Sequence, residues 1–590
     1  MKSFFKYLLA SVLGVLVAGL LMFLILLGGI GAMVSSQDQV VKVNSNSILH
    51  MELSQPIMDR SNKNPMEGFD FTTFRPAPQL GLNDILSNIK KAKTDPNIDG
   101  IYLDLSIISA GIGTIEEIRN ALLDFKESGK FIISYSENYT QRSYFLASVA
   151  DKIYLNPEGI FPFSGLSAEV MFYKDALEKI GVEPQIIRGK NNKFKSAVEP
   201  YMYNKMSEEN RKQIMTFMGS IWDHILNKIS TERNISVKDL NTIADNEVLL
   251  NAQVALDNEL IDGIKYKDEI LKELADLTEK NEISKIETIS ISKYTKVPDT
   301  KRKKLEKDKI AVVYASGVVM PGEGQEGTIG SERISRAIRK ARNDSSIKAI
   351  VLRVNSGGGS GLASEVIWRE VKLAQEVKPV IASIGDVAAS GGYYIIAPAQ
   401  KIIASPNSIT GSIGVFMRSF SSKELLNDKL GINIDVVKTN KHSDFGSLAR
   451  PFSYEEREIL QNMVENFYDS FLEKVAEGRN MTKEEVDKIG QGRVWSGANA
   501  IENGLIDAFG GLEDAISIAA EEAGLDTYRV VNLPKLEDPF EQLMKDFTGN
   551  VKMSILEKEL GEEYKYYKIL KSIKDQNGIQ ARMPYEMNLY

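Results

Sequence analysis

The chain contains no cysteine and only three histidines, His50, His224 and His442. Without a thiol there is no disulfide, no cysteine nucleophile and no thiolate metal site. The absence of cysteine is compatible with an oxidising compartment. The histidines are far apart and none stands in a ligand-spaced motif, which argues against a zinc centre. No metal or other cofactor is expected. A surplus of positive charge is missing as well: 72 Lys and Arg face 80 Asp and Glu, for a net charge of −8. Nucleic acid is therefore not an expected partner. From Tyr7 to Gln37 there is no charge of either sign.

That charge-free run is the first positive feature. Its apolar core, residues 7–34, exceeds the roughly 7–15 residues of a signal-peptide core and suffices for the about 20 that span a bilayer. It predicts an uncleaved transmembrane anchor in contact with membrane lipid, with a cleaved signal as the alternative. Lys2 and Lys6 precede it without an acidic residue, which predicts a cytoplasmic N-terminus and an outward-facing remainder after Val34. That remainder is too long for one core and should divide into two or more domains.

The remainder contains itself twice. Ile85–Leu105 (ILSNIKKAKTDPNIDGIYLDL) matches Ile334–Val354 (ISRAIRKARNDSSIKAIVLRV), and Ala150–Pro157 matches Ala399–Pro406 at the same offset. Each copy of the first pair reads as an amphipathic helix, a turn and a β-rich strand. Further on, Ser207 and Ser453 open twin long helices, the second with the spacing of a capping box to Glu456. The stripe Leu460, Met463, Phe467, Phe471 matches Ile214, Phe217, Ile221, Ile225 and reads as core packing. Alternating strands and helices predict two α/β domains with mainly parallel sheets, at 40–299 and 309–535. The charged stretch 300–308 reads as a linker. Residues 536–590 have no counterpart; amphipathic patches such as Met553 to Ile573 predict a helical packing arm.

A duplication is its own control, because a difference between copies shows which half kept which group. In the second half, Val380–Ile384 reads as a buried strand running into Ala388-Ala389-Ser390-Gly391-Gly392, then an apolar helix through Ile396. A serine on such a bend is a candidate nucleophile; a helix N-cap is the plainer alternative. Ser390, Gly391 and Gly392 align with Gln141, Arg142 and Ser143, so the first half lacks the hydroxyl and its glycines. The second half also has Asn355-Ser-Gly-Gly-Gly-Ser360 after a strand, where backbone N–H groups can face an oxyanion. No base is obvious there. The segment holding Lys195 in the first half aligns with the one holding His442 in the second, pairing Lys195 with Gly446. One half thus has a Lys without the Ser and the other the Ser without the Lys; together they would make one site. For Lys195 a surface ammonium is the alternative.

These residues resemble the signal peptide peptidase family of Ser–Lys peptidases in its long, membrane-anchored form. The resemblance is carried by Lys195-Ser-Ala-Val-Glu-Pro200, Leu352-Arg-Val-Asn-Ser356, Ala389-Ser-Gly-Gly-Tyr393 and Ile409-Thr-Gly-Ser-Ile-Gly414, and covers nearly the whole chain past the anchor. It implies two tandem Clp protease/crotonase-like α/β domains, with Ser390 as nucleophile and Lys195 as general base. The oxyanion hole would be the N–H groups of Gly358 and Gly391. The resemblance further implies a homotetramer in a bacterial inner membrane whose substrates are signal-peptide remnants and other short apolar peptides. The family usually has Pro where Gly357 stands, and the replacement loosens φ there. An acyl-CoA enzyme on the same fold and a nonenzymatic membrane scaffold are the competing expectations.

Overall fold

The computed structural model describes residues 2–37, 41–61, 69–70, 75–76, 80–247, 249–280, 282–298, 306–536 and 579–583. The first half builds a six-stranded, wholly parallel sheet. Its order is Gly263–Ile264, Lys152–Leu155, Phe131–Ser136, Ile98–Asp104, Ser47–Met51 and Glu287–Ser290. The second half repeats the pattern around Val380–Ala389, Ile347–Ser356 and Lys309–Ser316, flanked by Ile409–Gly411 on one side and Arg529–Leu533 on the other. Central strands of Val, Ile and Leu are buried on both faces, as parallel sheets covered by helices require.

The twin long helices, Glu208–Arg233 and Tyr454–Arg479, match in both caps. Ser207 and Ser453 accept from the backbone N–H of Asn210 and Glu456, and Asn234 and Asn480 close them at φ 56° and 52°. That left-handed conformation is one asparagine tolerates. The first stripe is buried throughout. The second is shifted: Met463 is exposed, and Val464 and Tyr468 take the buried line with Leu460 and Phe471. Residues three and four apart share a helix face, so the periodicity allows either Met463 or its neighbour Val464, and Val464 is the one in the second-half core.

The charge-free run belongs to a helix, Lys2–Gln37, whose described apolar side chains, among them Leu9, Val15 and Met22, are exposed. Among the described residues no helix is long and apolar enough to cross a membrane. Side chains from Phe23 to the end of the expected anchor lie outside the described residues, as do most of the charged stretch 300–308 and the helical patches at 553–573. What is described of the terminal arm is a strand, Ile579–Arg582, not a helix.

That strand belongs to a third sheet that the repeat pattern does not foreshadow. Its order is Thr328–Gly330, Val318–Met320, Gly358–Ser360, Ile579–Arg582, Phe416–Ser421 and Glu183–Arg188. Glu183–Arg188 comes from the first half and pairs antiparallel with Phe416–Ser421 of the second. It carries the chain directly into the segment holding Lys195.

Candidate active site

The strand Val380–Ala389 ends against Ser390, which opens the short helix Gly391–Ile396. Tyr393 and Tyr394 pin this helix in the core: the Tyr393 hydroxyl donates to Leu505 O at 2.8 Å, and the Tyr394 ring lies 4.7 Å from that of Phe471. Ser390 sits at φ 55°, ψ −118°, a strained combination for a residue with a Cβ. It occupies the N-cap position but makes no side-chain cap bond. The sharp turn instead aims its hydroxyl away from the helix.

There it meets Lys195. Nζ of Lys195 lies 2.8 Å from Oγ of Ser390, 2.9 Å from the carbonyl oxygen of Ser412 and 2.9 Å from Ser412 Oγ. A neutral amine satisfies all three: its two N–H groups donate to Ser412 and its lone pair accepts the Ser390 O–H. Lys195 is fully buried, and burial holds its amine well below the usual lysine range. The base position is built by two clamped loops. Phe194 N–H donates to Gln491 O, Gly492 N–H to Ile413 O and Ser412 N–H to Arg493 O. Gly492, at φ +82°, passes so close that a Cβ would lie 2.6 Å from Lys195 Cα. Gln213 braces the segment from the side, donating to Phe194 O and Ser196 Oγ.

The glycine run lies beside the nucleophile. Gly358, at φ +96°, gives its N–H to Ser356 Oγ at 3.1 Å. The glycines crowd together beside the nucleophile: a Cβ on Gly358 would lie 2.7 Å from Gly391 N, and one on Gly391 3.2 Å from Gly359 N. Ser412 stands in the quoted Ile409–Gly414 motif; composition does not single it out, because its contact with Lys195 depends on which way a peptide bond faces.

His442 is remote from this pair. It lies in an exposed loop near Glu455 and Glu456, at 3.9 and 3.8 Å, and Gly446 lies in the same loop. At the position equivalent to Ser390, the Gln141 side chain accepts from Ser164 and Gly165 N–H and donates to Gly165 O.

The chain matches the family described as Peptidase family S49 over residues 124–281 and 372–526, once in each half. A protein named Protease 4 from Haemophilus influenzae is 38% identical over 460 residues, 75% of this chain and 73% of that protein. Another Protease 4, from Salmonella typhi, is 35% identical over 91% of this chain and 88% of its own length. A chloroplastic protein of Arabidopsis thaliana named Serine protease SPPA is 32% identical over 92% of this chain and 78% of its own.

Proposed function

The chain belongs to peptidase family S49 and is a serine protease, and from that premise we propose that it works by a Ser390–Lys195 dyad shared between its two halves. Membership answers the acyl-CoA and scaffold alternatives; the dyad, the substrate and the setting are the proposal. The observation that carries it is the 2.8 Å contact between Lys195 Nζ and Ser390 Oγ in a buried pocket. A serine hydroxyl needs a base near neutral pH, and an ordinary lysine, with pKa about 10.4, is protonated there. Burial of Lys195 makes the amine available as that base.

In this reading Lys195 Nζ takes the Ser390 proton as Oγ attacks the scissile carbonyl carbon. The oxyanion is received by backbone N–H groups of the glycine-lined bend, Gly391 among them. Lys195 then delivers the proton to the leaving amine, and water hydrolyses the acyl-enzyme with Lys195 again as base. Ser412 accepts both N–H groups of the neutral amine and so directs its lone pair at Ser390 before the proton moves.

Substrates are extended apolar peptides, signal-peptide remnants among them, cut beside a bacterial inner membrane. The helix Lys2–Gln37 is the anchor, with a cytoplasmic N-terminus. Its charge-free run after Lys2 and Lys6, with exposed Leu and Val, supports that setting. Each half is read as a Clp protease/crotonase-like unit, and the active form as a homotetramer. The exposed apolar Leu430, Ile432, Ile434, Val436 and Val437 support self-association. The test is a fluorophosphonate probe with turnover of a fluorogenic apolar peptide. The parent is labelled and turns over; Ser390→Ala does neither while keeping its melting profile; His442→Ala does both. Turnover in purified Ser390→Ala removes the nucleophile, and loss of about a hundredfold in His442→Ala replaces Lys195 as base.

A further inference from the structure

The first half repeats the frame of the Ser390 site. Its strands Ile160–Pro162 and Leu249–Asn251 pair antiparallel, as Ile409–Gly411 and Val494–Ser496 do in the second half. Gln141, at the position of Ser390, donates from Nε2 to Gly165 O at 2.8 Å, while Ser390 Oγ faces Gly414 O at 3.4 Å. Gly165 and Gly414 match at the offset that pairs Gln141 with Ser390. A small pocket opens here, with about 20 Å³ of free space, room for one small group. Gln141, Phe145, Phe163, Leu166, Trp222 and Ile225 are among its walls. The first four match Ser390, Tyr394, Ser412 and Val415 at that same offset, so the pocket is the counterpart of the space beside the nucleophile.

The chain leaves this pocket as an unpaired strand. Over residues 166–172 exposure alternates: Leu166, Ala168, Val170 and Phe172 are half-buried, and Ser167, Glu169 and Met171 are exposed. Leu166, Ala168 and Val170 pack on the first-half core. That period of two is the period of a half-buried strand. Among the described residues, none pairs its backbone with 166–172 in a ladder. The counterpart in the second half, Phe416–Ser421, carries an antiparallel strand on each edge. An extended segment with one face on the core and its backbone groups unpaired is a template for another strand.

We propose that the first half binds an extended apolar peptide without cutting it. The peptide adds as an antiparallel strand to residues 167–172, and one small side chain enters the pocket beside Gln141. Main-chain bonds supply affinity, and the pocket supplies the choice of side chain. The narrow apolar space takes a methyl group, which gives its walls the contacts they lack, and excludes an aromatic ring. No nucleophile faces the bound chain, because Gln141 has no hydroxyl and the Lys195 amine is bonded at Ser390. This groove takes its ligand class from the apolar-peptide reading of the Ser390 site and gives that ligand a second place to be held. A long peptide held by the first half is offered to the second at raised local concentration, whereas a short one gains nothing.

The test is photo-crosslinking of the full-length Ser390→Ala chain with fluorescein-labelled Ala-Leu-Ala-Leu-Ala-Leu-Lys, photo-leucine replacing its middle Leu. Adducts mapped by mass spectrometry should fall in both halves, those of the first half within residues 164–172 or at Trp222. Leu166→Trp fills the pocket. Glu169→Pro and Val170→Pro each remove one of two successive N–H groups, which point at opposite edges of the strand. Leu166→Trp and one of the two proline variants should lower first-half labelling about tenfold or more, the discrimination of a tight site, with second-half labelling unchanged. If Leu166→Trp does not fold, the proline variants decide, since Glu169 is exposed. A peptide with Phe in place of each Ala should label the first half as weakly. Absence of first-half adducts, or indifference to every variant, overturns the groove. So does a proline variant that changes the mass by light scattering and leaves labelling alone, because the edge then belongs to a second copy of the chain. First-half labelling that persists while a fluorophosphonate leaves parental Ser390 unmodified keeps the groove and overturns the dyad.

Discussion

At the residue scale the proposed site is three side chains with one division of labour: in that reading Ser390 attacks and Lys195 moves the proton, while Ser412 holds the amine. Since burial lowers the Lys195 pKa, its neutral fraction grows as pH rises through the lowered value. The rate therefore climbs with a single-proton slope and levels off at a bend well below the about 10.4 of free lysine. Lys195→Arg is inactive across the same profile, since guanidinium stays protonated; near-parental turnover would make the side chain a cation and not a base. The same shift sets a stability trend. Between the folded and unfolded pKa values the unfolded chain binds the proton, so parental stability rises with pH there. Lys195→Met lacks that term, so it melts above the parent at low pH and the gap closes toward pH about 10.4. Ser412→Ala removes one acceptor, with kcat down about tenfold, near 1.4 kcal/mol. Its bend moves to lower pH, because an acceptor that favours the ammonium is gone. That Ser390 and Lys195 would meet was legible because the two halves differ there. Ser412 was not, since a serine held by φ 51° and a carbonyl direction leaves no compositional mark.

At the scale of elements, the long features were the readable ones. The repeated helix-turn-strand units and the Ser-capped helices carry periodicity over many residues, and that is what a pattern can report. The third sheet is built of pieces such as Gly358–Ser360 and Ile579–Arg582, too short for a period and paired across most of the chain. Nothing local announces them. The loop Gly490–Arg493 is another such piece, and it makes a prediction. Gly492→Ala places a Cβ within 2.6 Å of Lys195 N, Cα and Cβ at a backbone φ of +82°. Lys195 must move, and a displacement near 1 Å costs about a hundredfold in rate. Turnover of the fluorogenic peptide should fall by that factor while far-UV circular dichroism stays parental.

At the scale of the whole molecule, a site split between halves demands that the halves hold one register. The latch is a buried ionic cluster. Arg353 of the second half reaches Asp59 at 2.7 Å and Glu117 at 2.6 Å, both from the first. Nearby, Asp386 accepts from the Thr114 backbone and hydroxyl at 2.8 Å each. Buried ions of this kind are weak sources of stability, because desolvation offsets most of the Coulomb gain. Their directional bonds do restrict how the halves can slide, and Lys195 reaches Ser390 only in one alignment. Two variants separate these roles. Arg353→Met leaves Asp59 and Glu117 buried without their cation and should lower stability by about 3–5 kcal/mol, read from the urea midpoint. Replacing all three together, Arg353→Met with Asp59→Leu and Glu117→Leu, removes the stranded charges and should recover most of that loss. If the cluster sets register, the triple variant still labels and turns over poorly despite its recovered midpoint. Parental turnover in the triple variant would assign the register to backbone contacts between the halves instead, the antiparallel pairing of Glu183–Arg188 with Phe416–Ser421 and the Phe194–Gln491 bond beside Lys195.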